Sequence, residues 1–169
     1  MPAAPVPVNA TAAAVLGLLH GGPMTGSELV ASARGRFGTF FSVTRSQVYR
    51  ELPALAASGL LALGEVGPRA SQRYRITAAG KRAFRAWLAG PGGVDALRSP
   101  LVLRLLHADR LPDEERAALV EASRAAYAEQ LTEASTAAEA EKDPYARAVA
   151  EFVVAHIRAM LALLDRVPA

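Results

Sequence analysis

Apolar residues return every three or four positions through most of this chain and every second position in one short stretch, so helices dominate the expected fold. Asn9 or Thr11 opens a helix that carries Val15, Leu16, Leu18 and Leu19 into a core. Gly21-Gly22-Pro23-Met24 predicts a turn. Thr25 then caps a second helix, with Glu28 three residues on to complete a capping box and Leu29, Val30 and Ala33 on the buried side. Gly35 and Gly38 end it, and Phe37, Phe40 and Phe41 follow as a cluster that reads as core packing. Thr44 and Gln47 repeat the capping box for a third helix, where Val48, Leu52 and Leu55 point inward and Gly59 supplies the C-terminal cap. Pro53 lies inside that helix and forfeits one backbone hydrogen bond. Leu60–Val66 predicts a strand, Gly67–Ser71 a polar turn, and the alternation Gln72-Arg73-Tyr74-Arg75-Ile76 a half-buried second strand with Tyr74 on the core side. Thr77 caps a fourth helix with Ala83, Phe84, Trp87 and Leu88 on its apolar side. Helix, helix, helix, hairpin, helix is the order of a winged helix-turn-helix with a two-stranded β-wing.

Pro91-Gly92-Gly93 marks a boundary. Beyond it Ser99-Pro100 caps a short helix from Leu101 to His107. Pro112-Asp113-Glu114-Glu115 starts a long helix running to about Glu141, with acids at its positive end and Leu119, Val120, Ala126, Tyr127 and Leu131 on its buried side. Asp143-Pro144 starts the last helix. Its first apolar stripe runs Tyr145, Val149, Phe152, His156, Met160, Leu163, Val167, and a second runs Val153, Ile157, Leu161, Leu164 beside it. An apolar arc this wide needs partners on more than one side, and a lobe of two or three helices cannot supply them all. A homodimer through these helices is therefore expected. The expected fold class is mainly α: a disordered tail over 1–9, a winged helix-turn-helix over 10–90 and a helical dimerisation lobe over 91–169.

The chain has 169 residues, half of them apolar, which places it among globular proteins. It contains no cysteine, which excludes disulfides, thiolate metal sites and cysteine nucleophiles and fits a reducing, cytoplasmic setting. The Pro- and Ala-rich start lacks the basic residues of a secretory signal, and no apolar run spans a membrane. Catalysis finds little support. His20, His107 and His156 are scattered without metal-ligand spacing, no Gly-x-Ser-x-Gly elbow occurs, and Gly80-Lys81-Arg82 fails as a phosphate loop because Arg75 stands where a glycine is needed. Neither a metal nor a cofactor is expected.

Residues 1–90 hold ten Lys/Arg against Glu28, Glu51 and Glu65, a balance of +7, whereas residues 91–169 hold nine against thirteen acids, a balance of −4. A basic first half joined to an acidic second half points the first at a polyanion. The Thr44 helix carries the side chains for it. Arg45 and Gln47 suit guanine and adenine edges in a major groove. Ser46, Tyr49 and Arg50 suit the phosphates that fix register, and the capping Thr44 joins the DNA-binding set. Arg69 and Arg73 on the hairpin would reach the flanking backbone or minor groove, and Ser71 beside them joins the DNA-binding set. A winged helix acting only as a protein-interaction module is the alternative, and it predicts an apolar or acidic face here instead of a basic one.

These residues resemble PadR-type transcriptional regulators of bacteria. The likeness lies in Val15-Leu16-Gly17-Leu18-Leu19, Gly26-Ser27-Glu28-Leu29, Ser46-Gln47-Val48-Tyr49 with Leu52 and Leu55, Gly59-Leu60-Leu61, Arg73-Tyr74-Arg75-Ile76-Thr77-Ala78-Ala79-Gly80 and Trp87-Leu88. A looser likeness continues from Leu101 to Leu119. The family often has an aromatic where this chain has Ser27, and proline where it has Arg50. The resemblance implies a dimeric, ligand-responsive repressor on a pseudo-palindromic double-stranded operator. It also implies an effector, aromatic or cationic, near the dimer interface. Trp87 either packs as core or stacks on such a ligand, and His156 is either a satisfied core histidine or an effector ligand or pH switch.

Overall fold

The computed structural model describes residues 7–38, 40–66 and 71–168. It divides into two compact units, Met1–Gly93 and Val94–Ala169.

In the first unit, α1 (Ala10–Leu18), a short 3-10 turn (Leu19–Gly21), α2 (Gly26–Phe37), α3 (Arg45–Ala57) and α4 (Ala78–Leu88) surround a core centred on Val15, Leu16, Leu29, Val48 and Leu52. Asn9 is the cap of α1: its Oδ1 accepts the Ala12 N–H at 2.8 Å. Val8 packs against the core. Order thus begins before residue 10, and the rest of the tail expected over 1–9 lies outside the described residues except Pro7. The Thr25–Glu28 and Thr44–Gln47 boxes both form. Gly59, at φ +72°, closes α3 as expected: its N–H donates to Ala56 at 3.0 Å and the Leu60 N–H to Leu55 at 2.9 Å.

The sheet has three strands where two were expected. β2 (Leu61–Val66) and β3 (Gln72–Ile76) form the antiparallel hairpin, with Leu61 opposite Ile76 and an irregularity between Leu63 and Val66. β1 (Met24–Thr25) adds to the far edge of β3, with Met24 opposite Tyr74 and Thr25 opposite Arg73. Gly22, at φ +134°, turns the chain onto that edge. Two residues are too few for alternation to reveal a strand. Thr77 locks the hairpin to the end of α3, its N–H donating to the Leu60 carbonyl at 3.1 Å and its hydroxyl to the Gly59 carbonyl at 2.8 Å.

Two expectations for this unit need correction. Trp87 and Leu88, expected on the buried side of α4, are exposed, because the unit ends before anything of its own covers the last turn of that helix. Phe40 is also exposed, its ring meeting Phe37 edge-on at 6.2 Å.

In the second unit, α5 (Pro100–Leu106) and a 3-10 turn (Ala108–Arg110) precede α6 (Asp113–Ala140) and α7 (Pro144–Leu164). Glu141–Asp143 join the two long helices into a hairpin, and Arg124 of α6 is ion-paired with Asp165 just past α7. α7 buries Val153, Val154, Ile157, Met160 and Leu164. Of the first stripe only the part near the start of α7 stays open, with Tyr145 83% and Phe152 60% exposed, while Met160 is buried and His156 and Leu163 are half-buried. On α6 only Ala138 is buried; Leu119, Val120, Tyr127 and Leu131 are half-buried and Ala126 is exposed. Two helices cover only part of each other, which leaves the wide apolar arc partly uncovered.

Candidate nucleic-acid interface

The hydroxyl of Thr44 accepts the Gln47 N–H at 3.2 Å, and Gln47 Oε1 accepts the Thr44 N–H at 2.8 Å. This box fixes the first turn of α3 and thereby the outward set Arg45, Ser46, Tyr49 and Arg50, all exposed. Val48, Leu52 and Leu55 lie behind them, buried. Gln47 itself is half-buried, and its Oε1 also accepts the Thr44 hydroxyl at 3.0 Å. The acceptor half of a bidentate adenine contact is thus occupied while the box is closed, and only its amide N–H groups are available. Ser46 Oγ lies 3.0 Å from Thr44 Oγ1.

The arginines differ in their commitments. Arg45 meets no acid among the described residues; its guanidinium carbon lies 5.2 Å from the centroid of the Tyr49 ring. Arg50 comes within 3.7 Å of Glu51, but its side chain is 71% exposed, and such a pair is worth at most about 1 kcal/mol. A phosphate can displace it. Arg73 is held more firmly. Its guanidinium donates to the Pro23 carbonyl at 3.1 Å and to Glu28 at 3.4 Å, bracing β3 against the start of α2. A phosphate contact from Arg73 competes with both. Ser71 is half-buried just before β3, and Arg69 lies outside the described residues.

Glu28 and Glu51 are thus engaged by Arg73 and Arg50. The Thr25 backbone N–H, then the Thr25 hydroxyl, and behind them Arg73 hold the Glu28 carboxyl below its ordinary pKa. Arg34, Arg36, Arg75, Lys81, Arg82 and Arg85 join Arg45 with no acid within ion-pair distance among the described residues. The exposed start of α3, with Arg45, Ser46, Tyr49 and Arg50, is basic and polar.

Trp87 and His156 belong to different units and each sits in an aromatic pair. Trp87 stacks on Phe84 at 6.3 Å, and Phe84 meets His20 at 4.9 Å. His156 is half-buried and stacks on Phe152 at 6.3 Å. Among the described residues no group of three His, Asp or Glu could hold a metal, and no helix is long and apolar enough to cross a membrane.

One participant escaped the sequence reading. Gly26, the first residue of α2, lies against the hydroxyl end of the Tyr49 ring. The available signal was a glycine straight after a threonine cap, where helix geometry asks for none.

The sequence pattern of the Transcriptional regulator PadR-like family matches residues 15–86. Those residues form a PadR-like domain. A curated relative, the Negative transcriptional regulator PadR of Bacillus subtilis, is 31% identical over 78 residues, which are 44% of this chain and 43% of the relative; the chain thus spans less than half of that relative's length. Among solved structures, B. subtilis PadR in complex with operator DNA matches with a TM-score of 0.77 and 20% identity, over 95% of this chain and 97% of that one. The same protein in complex with p-coumaric acid matches with a TM-score of 0.60 and 19% identity, over 94% and 99%. A PadR-like transcriptional regulator from Bacillus cereus matches with a TM-score of 0.79 and 19% identity, over 92% and 94%. The fold that follows the PadR-like domain, not only the domain itself, therefore resembles PadR regulators.

Proposed function

We propose that this chain is a sequence-specific DNA-binding transcriptional regulator: a homodimeric, ligand-responsive repressor that works in the cytoplasm and is not an enzyme. The observation that carries it is the capped N-terminus of α3, which presents Arg45 to solvent with no acid among the described residues to neutralise it. Arg45 reads a base edge, and Gln47 adds its amide N–H groups. Ser46 and Arg50 meet the phosphates beside it, with Thr44 at the cap, Tyr49 next to Arg45, and Arg69, Ser71 and Arg73 contributing from the wing. Residues 10–90 form the DNA-binding domain and 91–169 pair two copies through the open stripe of α7. The relatives' names support the same role: one is a negative regulator, solved once with operator DNA and once with p-coumaric acid. By that likeness a small aromatic or cationic effector regulates DNA binding here, with Trp87 and His156 as candidate contacts.

Selection from a randomised duplex library tests the reading. The full chain should enrich a pseudo-palindromic duplex. Arg45→Ala should weaken binding to that duplex by about 1–3 kcal/mol and leave binding to a scrambled duplex nearly unchanged. Equal losses on both duplexes would show that Arg45 does not read sequence.

A further inference from the structure

The contacts of Tyr49 run through its ring. A Cβ built at Gly26 falls 2.9 Å from Tyr49 Cζ and 3.0 Å from both Cε1 and the hydroxyl oxygen, and these are its three nearest atoms. Gly26 is buried and is not among the positive-φ glycines, so the backbone there would accept alanine. What excludes a larger residue is the phenol ring. The same ring meets the Arg45 guanidinium at 5.2 Å from its centroid, inside the range of about 6 Å for an attractive cation–π contact. The hydroxyl takes no hydrogen bond from a described residue.

We infer that Tyr49 is a positioning residue for Arg45: Gly26 leaves a notch at the start of α2, the Tyr49 ring seats in it, and the ring holds the guanidinium aimed for a base edge. This rests on the DNA-binding reading above and gives Tyr49 a different part from a phosphate ligand. A free arginine loses rotamer freedom when a base fixes it, whereas one already held over a ring loses less. Bidentate contact with guanine also depends on the angle of the fork, which makes a fixed approach valuable. Positions 45 and 49 are one helical turn apart, so α3 itself brings the two side chains together. The notch on α2 then sets where the ring stands.

The test uses the full chain, the duplex that the wild type selects from a randomised library and a scrambled duplex of equal length, across a salt series. Tyr49→Phe keeps the ring and should retain affinity and salt slope. Tyr49→Ala and Gly26→Ala should each weaken the selected duplex about two- to fivefold and spare the scrambled one. In an Arg45→Ala background neither should cost anything more. Gly26→Ala should stay folded, because alanine is the better helix former and only a side-chain tip has to move; a thermal melt checks this. Without DNA, the Arg45 Hε resonance should carry a ring-current shift in wild type and Tyr49→Phe that vanishes in Gly26→Ala. If Tyr49→Phe loses as much as Tyr49→Ala, with a salt slope lower by about 0.9, the hydroxyl is a phosphate ligand and the inference fails. Losses that persist in the Arg45→Ala background, or a ring-current shift unchanged in Gly26→Ala, also overturn it. A wild type that prefers no duplex overturns the DNA reading itself; a discriminating wild type with an indifferent Gly26→Ala overturns this inference alone.

Discussion

Glu28 accepts the Thr25 N–H through one carboxylate oxygen at 2.7 Å and meets Arg73 through the other at 3.4 Å. One side chain thus ties the start of α2 to the wing strand, and both partners favour its charged form. Because the folded carboxyl is held below its ordinary value of 4.5, its contribution is complete above that value and is lost as pH falls through the lowered one. Glu28→Gln should melt below wild type at neutral pH, and the gap should narrow as pH drops beneath 4.5. A gap independent of pH would mean that the charge on Glu28 contributes nothing. At this scale the caps were legible, since Thr25–Glu28 and Thr44–Gln47 announce themselves by type and spacing. The brace between Arg73 and Glu28 was not, because it joins residues 45 apart whose meeting depends on where β3 lies. The same holds for Tyr49 on Gly26, which needs the crossing of α2 and α3.

Among the elements, α4 approaches the end of α3 so closely that a Cβ at Gly80 would fall 2.2 Å from the Leu60 carbonyl oxygen and 2.9 Å from Ile76 Cγ1. A backbone atom cannot step aside as a side-chain tip can. Gly80→Ala should therefore destabilise the first unit by about 1–3 kcal/mol and lower its melting temperature by several degrees. Gly35 in α2 is the control: a Cβ there meets nothing within 4 Å, and alanine should stabilise by about 0.4–1 kcal/mol. If both variants melt alike, the close approach of α4 is not what requires glycine at position 80. Long elements were legible because each repeats its pattern for several turns. β1 was not, since it is two residues long and exists only because β3 offers an edge. Trp87 and Leu88 show the matching limit: an apolar stripe reveals which side a helix could bury, and its neighbours decide how much is covered.

For the molecule as a whole, charge and apolar surface divide the labour. The surplus of positive charge lies in residues 1–90, and the open apolar stripe Tyr145, Val149, Phe152 lies on α7 in the second unit. The width of that apolar arc was legible from the sequence, and the structure leaves it open in a single copy. Phe152→Asp should convert a dimer to a monomer in sedimentation and weaken binding to the selected duplex roughly tenfold or more, with the helical content unchanged. A wild type that sediments as a monomer, or a variant that remains dimeric, would remove α7 as the pairing surface. The most direct measurement of the central claim is a hydroxyl-radical footprint of the wild-type chain on the duplex it selects. Two protected half-sites related by a two-fold axis, about one helical turn apart, are expected, with protection lost at the centre of each in Arg45→Ala. Protection spread evenly along the duplex, unchanged by Arg45→Ala, would contradict it.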